Sequence, residues 1–207
     1  MKQRPAFFVD VARCTGCKAC EMACKDYKDL GTSAAYRQVY EYVGGGWTQG
    51  KDGLFANDVF AYYLSLACNH CLDPVCTKVC PTGAMHKDDL GFVCVDTHRC
   101  IGCGYCALSC PYHAPHLDDS LGHSVKCDGC TDRVHLGLAP VCVVACPRRA
   151  LDFGTFDEMT EKHGASVSIE PLPDPALTSP GLVVHPGRNA RMTGEGGGAI
   201  ANIAELV

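Results

Sequence analysis

No apolar run in this 207-residue chain approaches the length of a membrane span. The most apolar stretch, Val59–Cys68, covers ten residues, whereas a spanning helix needs about 20. The N-terminus, MKQRPAFFVD, has one short apolar cluster, where a secretory signal carries an apolar run of about 7–15 residues and a cleavage site. Basic charge is not in excess either: 18 Lys and Arg stand against 23 Asp and Glu, a net charge of −5. That excludes the concentrated basic face of a nucleic-acid binder. A dinucleotide fingerprint is missing too, because VGGGW around Trp47 lacks the strand-to-helix setting that G-x-G-x-x-G requires. The expectation is a polypeptide that is water-soluble as written, reaches a membrane only through a partner, and holds neither flavin nor nicotinamide.

Cysteine, by contrast, is abundant at 17 of 207 residues, a density that points to a disulfide scaffold or a metal protein. Structural disulfides belong to oxidising compartments, and no export signal accompanies these cysteines. Spacing decides between the two. Cys14, Cys17, Cys20 and Cys24 form CTGCKACEMAC, a C-x2-C-x2-C-x3-C run. Cys68, Cys71, Cys76 and Cys80 form CNHCLDPVCTKVCP, with the second gap widened to four residues. Cys100, Cys103, Cys106 and Cys110 repeat the first pattern in CIGCGYCALSCP. Cys127, Cys130, Cys142 and Cys146 close the series, with eleven residues between the second and third and CVVACP at the end.

The bacterial ferredoxin run is C-x2-C-x2-C-x3-C-P, and its fourth cysteine ligates the other cluster of a pair. Three cysteines on a tight loop wrap three corners of an iron–sulfur cube. The x3 step then opens a helix that carries the fourth thiolate toward a neighbouring cube. Gly16 and Gly102 sit inside the loops, where backbone passes close to sulfide and φ turns positive. Pro81, Pro111 and Pro147 end three groups at a tight turn, and Lys25 takes that place in the first. Structural zinc sites commonly take their cysteines in C-x2-C pairs, an arrangement that triplets followed by an x3 cysteine do not share.

The spacing therefore predicts four [4Fe–4S] clusters on sixteen cysteines. Ferredoxin pairing applied to the adjacent second and third groups assigns one cube to Cys68, Cys71, Cys76 and Cys110, and another to Cys100, Cys103, Cys106 and Cys80. The first and fourth groups pair around this inner module. Cys14, Cys17, Cys20 and Cys146 hold a third cube, and Cys127, Cys130, Cys142 and Cys24 a fourth. Cys94, in GFVCVD, is left over and reads as a small core residue on a strand.

Short β-rich segments flank the loops: FFVD, FVCVD and ALDFG. The expected fold is α+β: two nested bacterial-ferredoxin-like modules with short hairpins and cluster-loop helices, a small β insertion and an extended C-terminal arm. Residues 1–24 with 111–156 form the outer module and 68–110 the inner one. Residues 25–67 are an insertion read as a small sheet roofing the inner module. Residues 157–207 are the arm, opening on a short helix at DEMTEKHG and then punctuated by five prolines. Little room is expected for an apolar core, so cluster ligation should supply much of the folding free energy. His70, His86, His98, His113 and His116, near the inner loops, read as surface residues. No catalytic constellation exists beyond the cubes, and a fully ligated cube offers no iron to a substrate, so the chain is not an enzyme by itself.

FFVD-x3-CTGCKACE-x-ACKDYKDL, FAYYLS, CNHC-x-DPVCTKVCP, GAMHK, CIGC-x-YC, GHSVKCDGC-x-DRV, ALDFG and KHG together run nearly the full length. On these motifs the chain resembles the electron-transfer subunits of bacterial dimethyl sulfoxide reductases. The resemblance implies a three-part complex at the bacterial inner membrane. A catalytic subunit with a molybdenum bis-pterin cofactor reduces sulfoxides or N-oxides, an integral anchor oxidises menaquinol, and this polypeptide links them. It also implies that the inner cube pair faces the quinol side, with the cube of Cys100, Cys103, Cys106 and Cys80 nearest the membrane. Location on the periplasmic face would follow from co-export with the catalytic subunit; the cytoplasmic face is the alternative. Cys103 stands where related nitrate reductase chains have tryptophan, so a fourth complete cube is expected. Gly104 stands where a larger basic residue is expected. Alternatives are the same subunit of a selenate, tetrathionate or polysulfide reductase, or a free-standing polyferredoxin shuttle. The insertion and tail speak against the shuttle.

Overall fold

A computed structural model describes residues 4–32 and 34–206. Along the chain, β1 (Pro5–Asp10) leads into α1 (Ala19–Tyr27), followed by β2 (Arg37–Gly44), β3 (Trp47–Gln49), β4 (Phe55–Asn57) and β5 (Phe60–Ala67). Next come α2 (Val75–Lys78), β6 (Met85–Lys87), β7 (Val93–Val95), α3 (Tyr105–Ser109), β8 (His116–Asp118) and β9 (His123–Val125). The last part holds α4 (Thr131–Val134), α5 (Val141–Ala145), β10 (Leu151–Thr155), α6 (Phe156–His163), β11 (Leu182–His185) and β12 (Gly198–Ile200). The result is a small α+β fold of short elements, as expected of ferredoxin-like proteins.

β1 is the spine. Every residue of PAFFVD is buried, because β1 lies between β10, antiparallel, and β11, parallel. Alternate side chains point to opposite faces. Phe7 and Val9 enter the main core with Leu64, Ile169, Leu182 and Val184. Ala6 and Phe8 face the other way, onto Met159 of α6. That helix begins with a capping box, in which Thr155 and Glu158 satisfy each other's backbone N–H groups, and it ends at Gly164 with φ 88°. The expected strands FFVD, FVCVD and ALDFG and the helix at 157–164 fall on β1, β7, β10 and α6.

Two expectations need correction, the place of the insertion and the size of the core. The insertion does not roof the inner module. β2 and β5 pair over their full length, and Val39, Tyr42, Phe60, Tyr62 and Leu64 pack into the same core as Phe7 and Val9; it reaches inner cysteines at one side, through Tyr36, Tyr40 and Ala67. Alternation along β5 decided this, since one face had to find apolar partners and β1 offers them. The C-terminal arm lies over its own chain: β11 joins the spine sheet and β12 pairs with β2. The apolar core is also larger than the short strands suggest, because tail and insertion both feed it. Around the inner cysteines the apolar clusters are small, built on Met85, Val93, Ala67 and Ala114.

Candidate iron–sulfur sites

Four short helices place the cysteines. Cys20 and Cys24 lie four residues apart in α1, on one face and separated by about 6 Å along the axis. Cys76 sits in α2, Cys106 in α3 and Cys142 in α5. Cys110 and Cys146 cap the C-termini of α3 and α5. Each x3 step is thus a helical turn that parts two sulfurs. Gly16 and Gly102 both have φ 67°, and a Cβ there would meet the Tyr63 ring at 2.5 Å and the Gly122 carbonyl at 2.7 Å. Lys18 and Gly104 hold matching places before α1 and α3, both left-handed, at φ 58° and 77°. A side chain at 104 would come within 3.2 Å of the Leu117 side chain at its Cβ.

The sixteen candidate ligands gather in sets. Cys14, Cys17, Cys20 and Cys146 line one cavity. Cys80, Cys100, Cys103 and Cys106 line another. Cys24 feels the charges of Cys142 and Cys130, and Cys127 those of Cys68 and Cys24. Cys76 feels Cys68, Cys110 and Cys71. Among the described residues, no three His, Cys, Asp or Glu side chains converge tightly enough to hold a single ion. Four thiols lining one cavity, as in each of the first two sets, fit the corners of a cube.

The sulfurs are supplied with donors. Ser65 Oγ lies 3.3 Å from Cys20 Sγ, within reach to donate to it, while the Cys106 thiol donates to Ser124 Oγ at 3.3 Å. Backbone N–H groups of Ala150, Met85, Gly129 and Ser124 donate to Cys146, Cys80, Cys127 and Cys100 at 3.3–3.4 Å. Donors of this kind favour thiolate and tune a bound cluster. Burial pushes the Cys24 and Cys76 thiols up to about 12 and Cys71 to about 11. Such thiols lose their protons when a metal takes their place. Cys80 departs the other way: burial raises it, but donors from Met85 and Thr82 outweigh that and hold it below the ordinary thiol value.

Two cations are enclosed among these sulfurs. Arg37 is 1% exposed, beside Cys142, Cys20, Cys127 and Cys24. Lys126 is buried beside Cys68, Cys127 and Cys76, its ammonium donating to the carbonyls of Val93 and Cys127. Cations buried with sulfurs as counter-charges fit thiolate-held clusters, which are anionic. Sequence reading misses both residues; the only signal is that each is a charge in an otherwise apolar or cysteine-rich stretch. His70, expected at the surface, is instead buried, accepting the Val93 N–H at 3.0 Å and edge-on to Phe92. Burial, then Lys126 and Lys87, hold it well below the ordinary imidazole value. His86, His98 and His113 are exposed, and His116 is half-buried. Cys94 lies on β7, half-buried, its sulfur 3.8 Å from Asp88.

Among the described residues no helix is long and apolar enough to cross a membrane. Residues 59–156 match the 4Fe-4S dicluster domain family. That span takes in three of the four cysteine groups. The chain is 56% identical over 200 residues to the B subunit of anaerobic dimethyl sulfoxide reductase from Haemophilus influenzae, covering 97% of this chain and 98% of the relative. It is 54% identical over 206 residues to the subunit of that name in Escherichia coli, covering both in full. A more distant relative is the thiosulfate reductase electron transfer subunit PhsB of Salmonella typhi, 39% identical over 150 residues, or 72% of this chain and 74% of that one.

Proposed function

The chain belongs to the family of anaerobic dimethyl sulfoxide reductase B subunits, the iron–sulfur electron-transfer subunits of such reductases, and on that premise we propose that it carries four cubes in series between two partners. Cys14, Cys17, Cys20 and Cys146 form the first ligand set, and Cys24, Cys127, Cys130 and Cys142 the second. Cys68, Cys71, Cys76 and Cys110 form the third, and Cys80, Cys100, Cys103 and Cys106 the fourth. Bound there, each cube supplies a one-electron site.

The order follows from shared elements. α1 holds Cys20 of the first set and Cys24 of the second. Cys127 of the second faces Cys68 of the third. α2 and α3, with the residues just after them, carry Cys76 and Cys80, Cys106 and Cys110, and so join the third set to the fourth.

One observation carries the reading: of the sixteen cysteines, Cys17 and Cys103 alone are exposed, and they belong to the two terminal sets. A protein that relays electrons needs one open port at each end. Around Cys103 the surface is apolar, with Ile101, Tyr105, Leu108, Leu117 and Leu121 exposed. That suits an integral membrane anchor that oxidises quinol. Around Cys17 stand Lys18 and Arg148, suited to the molybdenum catalytic subunit that reduces dimethyl sulfoxide or related S- and N-oxides. Residues 1–24 with 111–156 and residues 68–110 would be the two modules of this relay, with the membrane reached only through the anchor.

Rapid mixing tests it. In the purified three-subunit complex, a menaquinol analogue reduces the clusters and dimethyl sulfoxide reoxidises them. Without the anchor, the quinol step is lost and the sulfoxide step remains. Quinol reduction of the isolated subunit would overturn the assignment of partners.

A further inference from the structure

Arg37 opens β2, opposite Ala67 of β5, and its side chain turns into the protein rather than to solvent, leaving it 1% exposed. One terminal nitrogen donates to the Ser65 carbonyl at 3.2 Å and to Ser65 Oγ at 3.1 Å. The guanidinium lies over the Phe7 ring, 4.6 Å from its centre. The remaining two nitrogens, Nε and Nη2, are buried with no protein partner. Among the described ion pairs none involves Arg37, whereas Lys18, Lys28, Lys78 and Lys162 each have a carboxylate.

A guanidinium stays protonated, and an enclosed charge without a counter-charge is costly. The counter-charge here is sulfur. Cys20 belongs to the first ligand set, while Cys24, Cys127 and Cys142 belong to the second, and all four act on Arg37. Ser65 ties the two features together, since its hydroxyl meets both the guanidinium and Cys20 Sγ.

We propose that Arg37 is a positioning residue for electron transfer, a fixed positive charge at the joint between the first and second ligand sets that raises the reduction potentials of the cubes held there. The inference rests on the four-cube reading above. Each cube gains one negative charge when it accepts an electron from its neighbour, so a nearby cation stabilises the reduced form. The effect falls on the pair of cubes toward the Cys17 port and biases electrons in that direction. Nothing beyond the proposed electron donor and acceptor is required.

The test is a potentiometric titration of the purified complex, followed by electron paramagnetic resonance, with iron counted on each sample. In Arg37→Met the potentials of the first and second cubes should fall by at least the equivalent of a tenfold change in reduction equilibrium, 59 mV for one electron. The third and fourth should stay in place, and Arg37→Lys should move the first two by less than half as much. Arg37→Met that loads every cube with unchanged potentials would overturn the proposal, as would an equal shift of all four. If Arg37→Met loses the first and second cubes while Arg37→Lys keeps them, the charge is needed there and the proposal stands. If Arg37→Lys loses them as well, the role is packing and the proposal fails. Failure of the four-cube reading itself would show separately, as fewer than four reducible centres in the unsubstituted complex.

Discussion

The two exposed ends of this molecule share an architecture and differ in chemistry. At each, three cysteines wrap a loop with a glycine at φ 67°. A serine hydroxyl sits 3.3 Å from the third sulfur, and a cysteine from another group completes the set with a backbone N–H on its sulfur. Yet the Cys17 end is lined by Lys18 and Arg148, and Lys18 is tied to Glu205 of the tail at 2.5 Å. The Cys103 end has Gly104 in the matching place and Ile101 and Tyr105 beside it, with no charged residue in its lining. The shared part is what a cube demands of its surroundings. The part that differs is what a partner demands. The same arrangement of candidate ligands thus carries two different faces.

Breaking one port at a time should have the largest effect. Cys103→Ser and Cys17→Ser each should remove one reducible centre and abolish quinol-driven turnover. A reduced dye that enters the relay between the fourth cube and the first should separate them: turnover survives in Cys103→Ser and falls in Cys17→Ser. Identical behaviour of the two would dissolve the comparison.

Surface substitutions sharpen it. Leu108, 86% exposed, should be buried against the anchor, and Leu108→Glu should weaken assembly with it by about 2 kcal/mol, the scale of an interface hot spot. Lys18→Glu should leave anchor binding unchanged and slow association with the catalytic subunit roughly tenfold at low salt, an effect that fades as salt is added. Affinity measured separately against each partner checks both.

The smallest effect is one of pH and belongs to the charged end alone. The Glu205 carboxyl lies below its ordinary value, chiefly because Lys18 donates to it and then because Asn202 does. A depressed carboxyl stabilises above its unfolded pKa, and that contribution is lost as pH falls through the lower folded value. Hydrogen exchange at residues 202–206 should therefore quicken only below the ordinary glutamate range. The contact should persist through neutral pH, because the Lys18 ammonium is raised by the same hydrogen bond. The Cys103 end should show no such transition.

Much of this was legible in the sequence. Local spacing determines loop geometry, so the positions of the four cysteine groups, the strand pair β6–β7 and the glycines at 16 and 102 could be read directly. Alternation exposed β5, and the run DEMTEKHG ending at Gly164 marked α6. What could not be read depends on contacts between distant segments. β11 pairs with β1 across 175 positions, as at Phe7 and Leu182, and nothing local in LVVH names that partner. The insertion is misplaced by sequence reading for the same reason: its apolar face is evident, but the surface it covers is not. Arg37 and His70 escape it because burial of a polar side chain is decided by what closes over it, here Phe7 and Phe92. Around the inner cysteines apolar packing stays thin, in two small clusters.

Iron and acid-labile sulfide analysis of the purified complex, combined with spectra through a reductive titration, tests the central claim most directly. The account predicts about sixteen irons for this subunit, beyond those of the partners, and four reducible centres assigned to it. About twelve irons or fewer on this subunit, or zinc bound tetrahedrally to any of the four sets, would contradict it.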